Sequence, residues 1–125
     1  MQHSRNFMLL GSLLLLVGIS VGIMMGATGD HSLAPLHAHI NLLGFVLMTV
    51  FGLVYRSFPN MAASGLATLH FWLHSLGTLL LLALLALLLT GSISESAMFP
   101  LAPISEVSIF VGIVCFVINL FQNGK

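Results

Sequence analysis

Residues 66–89 read LATLHFWLHSLGTLLLLALLALLL, a run of 24 with no Asp, Glu, Lys or Arg. A hydrocarbon core about 30 Å thick takes roughly 20 apolar residues in a helix, so this run has the length and composition of a membrane span. Three further stretches do as well: 7–26, 36–57 and 104–121. The breaks between them carry turn chemistry, with Gly29-Asp30 and Pro35 in the first, Pro59-Asn60 and Gly65 in the second, and Gly91, Pro100 and Pro103 in the third. The expectation is an all-α membrane protein, one four-helix transmembrane domain over residues 1–125, with no soluble domain and no internal repeat.

Composition agrees. The 125 residues are 58% hydrophobic and 5% charged, with three basic and three acidic side chains and no net charge. A soluble globule carries about a quarter charged residues, so a soluble domain, a disordered chain and a nucleic-acid binder are excluded. One cysteine, Cys115, excludes an internal disulfide and a cysteine-rich metal cluster. Arg5, Arg56 and Lys125 fall at the N-terminus, the second loop and the C-terminus, whereas Asp30, Glu95 and Glu106 fall at the first and third loops. Basic residues favour the cytoplasm, so both termini are expected there, in a bacterial cytoplasmic membrane. The first span has no small-x-small cleavage pattern and is longer than a signal peptide's apolar core, so it reads as retained.

Helices in lipid associate through small residues that allow close approach. Gly11, Gly18, Gly22 and Gly26 line one side of the first span, and Ser105, Ser108, Gly112, Cys115 and Asn119 alternate three and four apart in the fourth. Both stripes read as packing seams rather than chemistry.

The histidines are where chemistry is to be sought. His37 and His39 lie on the second span, His70 and His74 on the third. Ionisable groups in a bilayer are costly and turn toward the bundle interior or a cavity, and each imidazole needs a partner at both nitrogens. His70 and His74, at i and i+4, share a face continued by Gly77 and Thr78. His37 and His39, at i and i+2, are about 200° apart on a helix of 3.6 residues per turn. The second helix therefore presents one histidine to each of two crevices, as a helix standing between two heme pockets does. His37 and His39 lie toward the outer end and His70 and His74 one and two turns from the inner face, a separation of roughly half the core, so two roles are implied. For His70 and His74 the expectation is a polar helix–helix contact with Tyr55, Asn41 or Thr78; copper or zinc also suits the spacing, though two ligands fall short of the usual four unless protomers combine. His31 reads as a wet loop residue beside Asp30 and His3 as a tail residue. Asn41 and Tyr55, on the His37 face, read as packing groups, with Asn41 in reach to orient an imidazole.

The run Leu36-His37-Ala38-His39, then Gly44, Gly52, Tyr55 and Phe58-Pro59, then Leu69-His70-Phe71-Trp72-Leu73 with Gly77, resembles helices ten and eleven of the catalytic subunit of heme–copper oxidases and nitric oxide reductases. The likeness covers a third of the chain. In that family the first histidine of the pair ligates the high-spin heme and the second the low-spin heme, which implies heme ligation by His37 and His39. The family's His-Phe-Trp-Leu histidine, matched by His70, ligates no heme and lies toward the inner side; His74 has no counterpart. The family's subunit arranges a dozen helices as three four-helix arcs about a pseudo-threefold axis. A chain of four is one such arc, so the resemblance implies a homotrimer in which each interface takes His37 from one protomer and His39 from the next. Three six-coordinate b-type hemes per trimer follow, in a closed ring that satisfies heterologous interfaces.

The departures bear on activity. No histidine pair stands at the outer end of the third span for a second metal, and the only acid in a span is Glu106 at the start of the fourth. With both axial positions filled, iron has no place for oxygen or nitric oxide. No Arg or Lys lies near the outer face, so His31, Asn41, backbone or water would meet the heme propionates. The expectation is a membrane cytochrome for electron transfer or sensing, with a redox partner not given by the sequence and no catalytic residue assigned. Three other readings stay open: a heme enzyme that binds or reduces oxygen or nitric oxide, a copper protein using His70 and His74, and an assembly partner without cofactor.

Overall fold

A computed structural model describes residues 2–125. The chain folds into α1 (Gln2–Thr28), α2 (Ala34–Ser57), a short α3 (Pro59–Ala63), α4 (Gly65–Leu89) and α5 (Leu101–Asn123), with one 3₁₀ turn at Glu95–Met98. Four of these, α1, α2, α4 and α5, are long and apolar enough to cross a membrane, and the architecture fits an integral membrane protein. The helices run a few residues beyond the apolar stretches. Pro35 and Pro103 sit in the first turns of α2 and α5, where no amide partner is lost and the fixed φ suits the helix. Gly29 and Gly91 take positive φ, 70° and 74°, just past α1 and α4, the backbone that closes a helix C-terminus. In the first loop the Ser32 amide donates to Asp30 Oδ1 at 2.9 Å and holds that carboxyl below its ordinary range.

The starts of α1 and α4 and the ends of α2 and α5 gather at one end of the bundle. There Ser4 Oγ donates to the Gly52 carbonyl at 2.7 Å, and Asn119 Nδ2 donates to the Met61 carbonyl at 3.0 Å. Arg5, Arg56 and Lys125 belong to this end, and Asp30 and Glu95 to the other. His3 is not a free tail: it lies inside α1, with Nε2 hydrogen-bonded to Thr68 Oγ1 at 2.9 Å and its ring 5.8 Å from that of Phe71. The helix is already formed at Gln2 because its first turn has tertiary partners to grip.

Two seams hold the bundle. Along the α1–α2 seam a Cβ on Gly44 would stand 2.8 Å from Leu14 Cδ1, and one on Gly52 would stand 2.9 Å from the Ser4 carbonyl. Along the α4–α5 seam a Cβ on Gly77 would stand 2.9 Å from the Ser105 carbonyl. Ser105, Gly112, Cys115 and Asn119 are buried there, and Ser108 Oγ donates to the Leu73 carbonyl at 3.0 Å. Gly11 and Gly18 are buried as the stripe implies, but Gly26 has left the seam and would meet nothing within 4 Å. The outer surface is apolar, with Leu13, Ile23, Leu42 and Phe110 all exposed, as lipid-facing positions are.

Within α2, residues Ile40–Val46 are wound as a π-helix. Where it ends, the Leu47 amide donates to the Leu42 carbonyl, five residues back. That leaves the Leu43 carbonyl without the donor a regular α-helix would supply, a costly state in a lipid interior. His74 Nε2 donates to it at 3.2 Å.

Candidate functional site

The first two turns of α2 carry His37 and His39 on opposite faces. His37 is half-buried against α1: its Nδ1 donates to the Gly18 carbonyl at 2.8 Å. The space exists because α1 has glycines here. A Cβ on Gly22 would stand 2.9 Å from His37 Cε1, and one on Gly18 would collide with Asn41 Oδ1. With the proton on Nδ1, Nε2 of the neutral ring is an acceptor, and Asn41 Nδ2 donates to it at 3.1 Å. Asn41 thus orients an imidazole.

His39 faces outward and is exposed. Its Nδ1 donates to the Pro35 carbonyl of its own helix at 2.7 Å. A carbonyl only accepts, so Nδ1 carries a proton and Nε2 of the neutral ring is an acceptor; among the described residues no side chain engages it. The ring borders an open hollow of about 260 Å³ shared with Ala38, Leu42 and Leu43.

His70 and His74 lie where the four long helices meet, both fully buried. Their ring centres are 5.8 Å apart. Phe7, Phe51 and Phe116 pack around His70 with centroids at 5.0, 4.4 and 5.3 Å. His70 Nδ1 is hydrogen-bonded to the Tyr55 hydroxyl at 2.9 Å. Of the three partners expected from the sequence, Tyr55 is found. Asn41 instead serves His37, and the Thr78 hydroxyl, buried, has no hydrogen bond. His70 Nε2, His74 Nδ1 and Ser75 Oγ are likewise buried without a partner. The phenylalanine wall escaped sequence reasoning, although Phe51 lies one turn before Tyr55 on the same side of α2. The Leu43 carbonyl left no trace in the sequence at all.

The two pairs are not brought together. Leu43, which His74 bonds, is four residues past His39, about 6 Å along the helix. His74 therefore reaches nearer the first pair than half a hydrocarbon core, while His70 stays level with Tyr55. Among the described residues no three His, Cys, Asp or Glu side chains are grouped closely enough to hold a metal ion. His31 is an exposed loop residue, its Nδ1 donating to the Gly29 carbonyl at 3.0 Å. Glu106 is exposed on α5, and no acidic side chain is buried among the described residues. Compared with protein-family models, with curated proteins and with solved structures, the chain has no significant match.

Proposed function

We propose that the chain is a small membrane b-type cytochrome that assembles as a homotrimer and holds heme between protomers, for electron transfer or sensing. One observation carries the reading: His39 presents a bare Nε2 on the outer face of the bundle, with Nδ1–H tied to the Pro35 carbonyl. A ligating histidine commonly gives its other N–H to a carbonyl in this way, which fixes tautomer and orientation. An imidazole bare toward lipid is costly unless something binds it. His37 has the same arrangement, its Nδ1–H on the Gly18 carbonyl, and fits as the second ligand once the Asn41 amide turns aside. The likeness of the Leu36–Gly77 run to heme–copper oxidase helices supports the same pair, His37 from one protomer and His39 from the next.

Bound there, heme would supply a one-electron couple whose potential follows axial ligation and burial. The protein's own share is clear from its residues. The Pro35 and Gly18 carbonyls fix the orientation of both imidazoles, and Ala38, Leu42 and Leu43 line the apolar hollow beside His39. With the basic end of the bundle cytoplasmic, in the bacterial cytoplasmic membrane, both histidines lie toward the outer face, where a redox partner would dock.

A second reading has its own support. The His37 Nε2 is already held by Asn41, and if that bond persists only His39 ligates, leaving an axial position for oxygen or nitric oxide. Absorption spectra of the detergent-purified protein, oxidised and then dithionite-reduced, test both. The expected result is a sharp Soret band with split α and β bands on reduction, abolished by His39→Ala and unmoved by carbon monoxide. A shift with carbon monoxide supports the second reading. Colourless protein from heme-sufficient cells sinks both.

A further inference from the structure

The buried pair His70 and His74 has a feature that helix packing does not require. Each ring has one nitrogen tied to a partner and the other bare. His74 Nε2–H is given to the Leu43 carbonyl, so its Nδ1 is a lone pair, and it has no partner. His70 Nδ1 is tied to the Tyr55 hydroxyl, and its Nε2 has no partner. Both side chains are 0% exposed. Buried polar atoms are nearly always satisfied, and two orphaned nitrogens on adjacent turns of one helix face are a paired exception. A metal-binding histidine shows this pattern, its outer nitrogen held by a carbonyl or hydroxyl and its inner one left for the ion.

We propose that His70 Nε2 and His74 Nδ1 together bind one soft monovalent metal ion, of the class of Cu(I) and its redox-inert analogue Ag(I). Two metal–nitrogen bonds of about 2 Å each, once both bare nitrogens turn to one ion, call for ring centres about 6 Å apart; these are 5.8 Å apart, with the ring planes at 65°. Charge selects the class. No carboxylate is buried among the described residues, so a divalent ion would carry an uncompensated double charge into an apolar interior. Zinc also takes four ligands, and among the described residues no third histidine, cysteine or acid is grouped with these two. A monovalent ion halves the charge, and the rings of Phe7, Phe51 and Phe116 around His70 add cation–π attraction. Thr78, whose buried hydroxyl also lacks a partner, lies one turn past His74 on the same face and can add a weak oxygen contact. Binding needs no net proton loss: His74 keeps Nε2–H on the Leu43 carbonyl, and His70 binds the ion as the tautomer that carries its proton on Nδ1, where the Tyr55 oxygen can accept it. A proton relay through the same groups fails, because it ends at the Leu43 carbonyl, which has no proton to pass on.

This site is independent of the cytochrome reading, and the test keeps them apart. Full-length protein in detergent, both unsubstituted and as heme-free His39→Ala, is titrated anaerobically with Ag(I) and with Cu(I), and bound metal is measured after gel filtration. The expected result is one ion per chain in both forms. His74→Gln keeps an N–H for Leu43 but replaces the imidazole nitrogen donor with an amide oxygen, a poor ligand for a soft ion, and should weaken binding at least tenfold. Tyr55→Phe should weaken it about 10- to 100-fold, as loss of a metal ligand's outer hydrogen bond does. Nitrogen-15 spectra of the unsubstituted chain need no variant to fold: Ag(I) should move His70 Nε2 and His74 Nδ1. Absence of binding, full binding in folded His74→Gln, or shifts confined to the other histidines each overturn the proposal. A water bridging the two rings, unmoved by Ag(I), does so as well.

Discussion

Gly22 decides where an imidazole sits. Its missing side chain is the space that His37 Cε1 occupies, with 2.9 Å between that atom and the position a Cβ would take. Four residues on, Gly26 faces nothing within 4 Å, so the two glycines of one stripe separate into a seat and a bystander. Alanine at each is therefore an internal control. Gly26→Ala should be neutral or stabilising by up to about 1 kcal/mol, the propensity gain of replacing glycine in a helix. Gly22→Ala should destabilise by about 1–3 kcal/mol, the usual cost of overpacking, less that same gain, and should lower the heme-to-protein ratio by displacing His37. Denaturant titration in mixed micelles and the pyridine hemochrome assay measure the two. Equal behaviour of the two variants would mean that His37 is not seated by α1.

At the scale of the helix, the π segment Ile40–Val46 sets the angle between the His37–His39 turn and the rest of α2. Its extra residue frees the Leu43 carbonyl for His74 and so ties α2 to α4. Deleting the exposed Val46 should restore regular winding, so that the Met48 amide reaches the Leu43 carbonyl, displaces His74 from it and unties the His37–His39 end of α2 from α4. Circular dichroism should keep its helical signal while heme content falls severalfold; unchanged heme would show that the segment positions nothing. Such a segment is not legible in a sequence. Spans are, because apolar length and charge placement are properties of the residues, and so are the small-residue seams of α1 and α5, because close approach selects for size. The hydrogen-bond register inside α2 depends on a donor from another helix, and the extension of α1 through His3 depends on Thr68 and Gly52. No local spacing records either. The face to which His37 and His39 point was legible from period alone, whereas the engagement of His37 by Asn41 and the freedom of His39 required the fold.

At the scale of the molecule, the proposal turns on how protomers meet. Each protomer has His37 turned toward α1 and His39 turned outward, so the two cannot share an iron within one chain without leaving these positions. Shared ligation requires a ring, and three chains of 13.4 kDa should give a native mass about three times that, plus heme. A monomer that retains heme would remove shared ligation outright. A sharper test uses two inactive variants together. His37→Ala and His39→Ala chains should each lack heme alone. In a ring whose pockets take His37 from one protomer and His39 from the next, any mixed trimer contains one intact pocket, where a chain lacking His39 donates its His37 to the pocket completed by a chain lacking His37. Equal co-expression with random assembly leaves three trimers in four mixed, so about a quarter of the normal heme should return. Ligation by two residues of the same chain predicts no return at all, and ligation by His39 alone predicts heme in His37→Ala before any mixing.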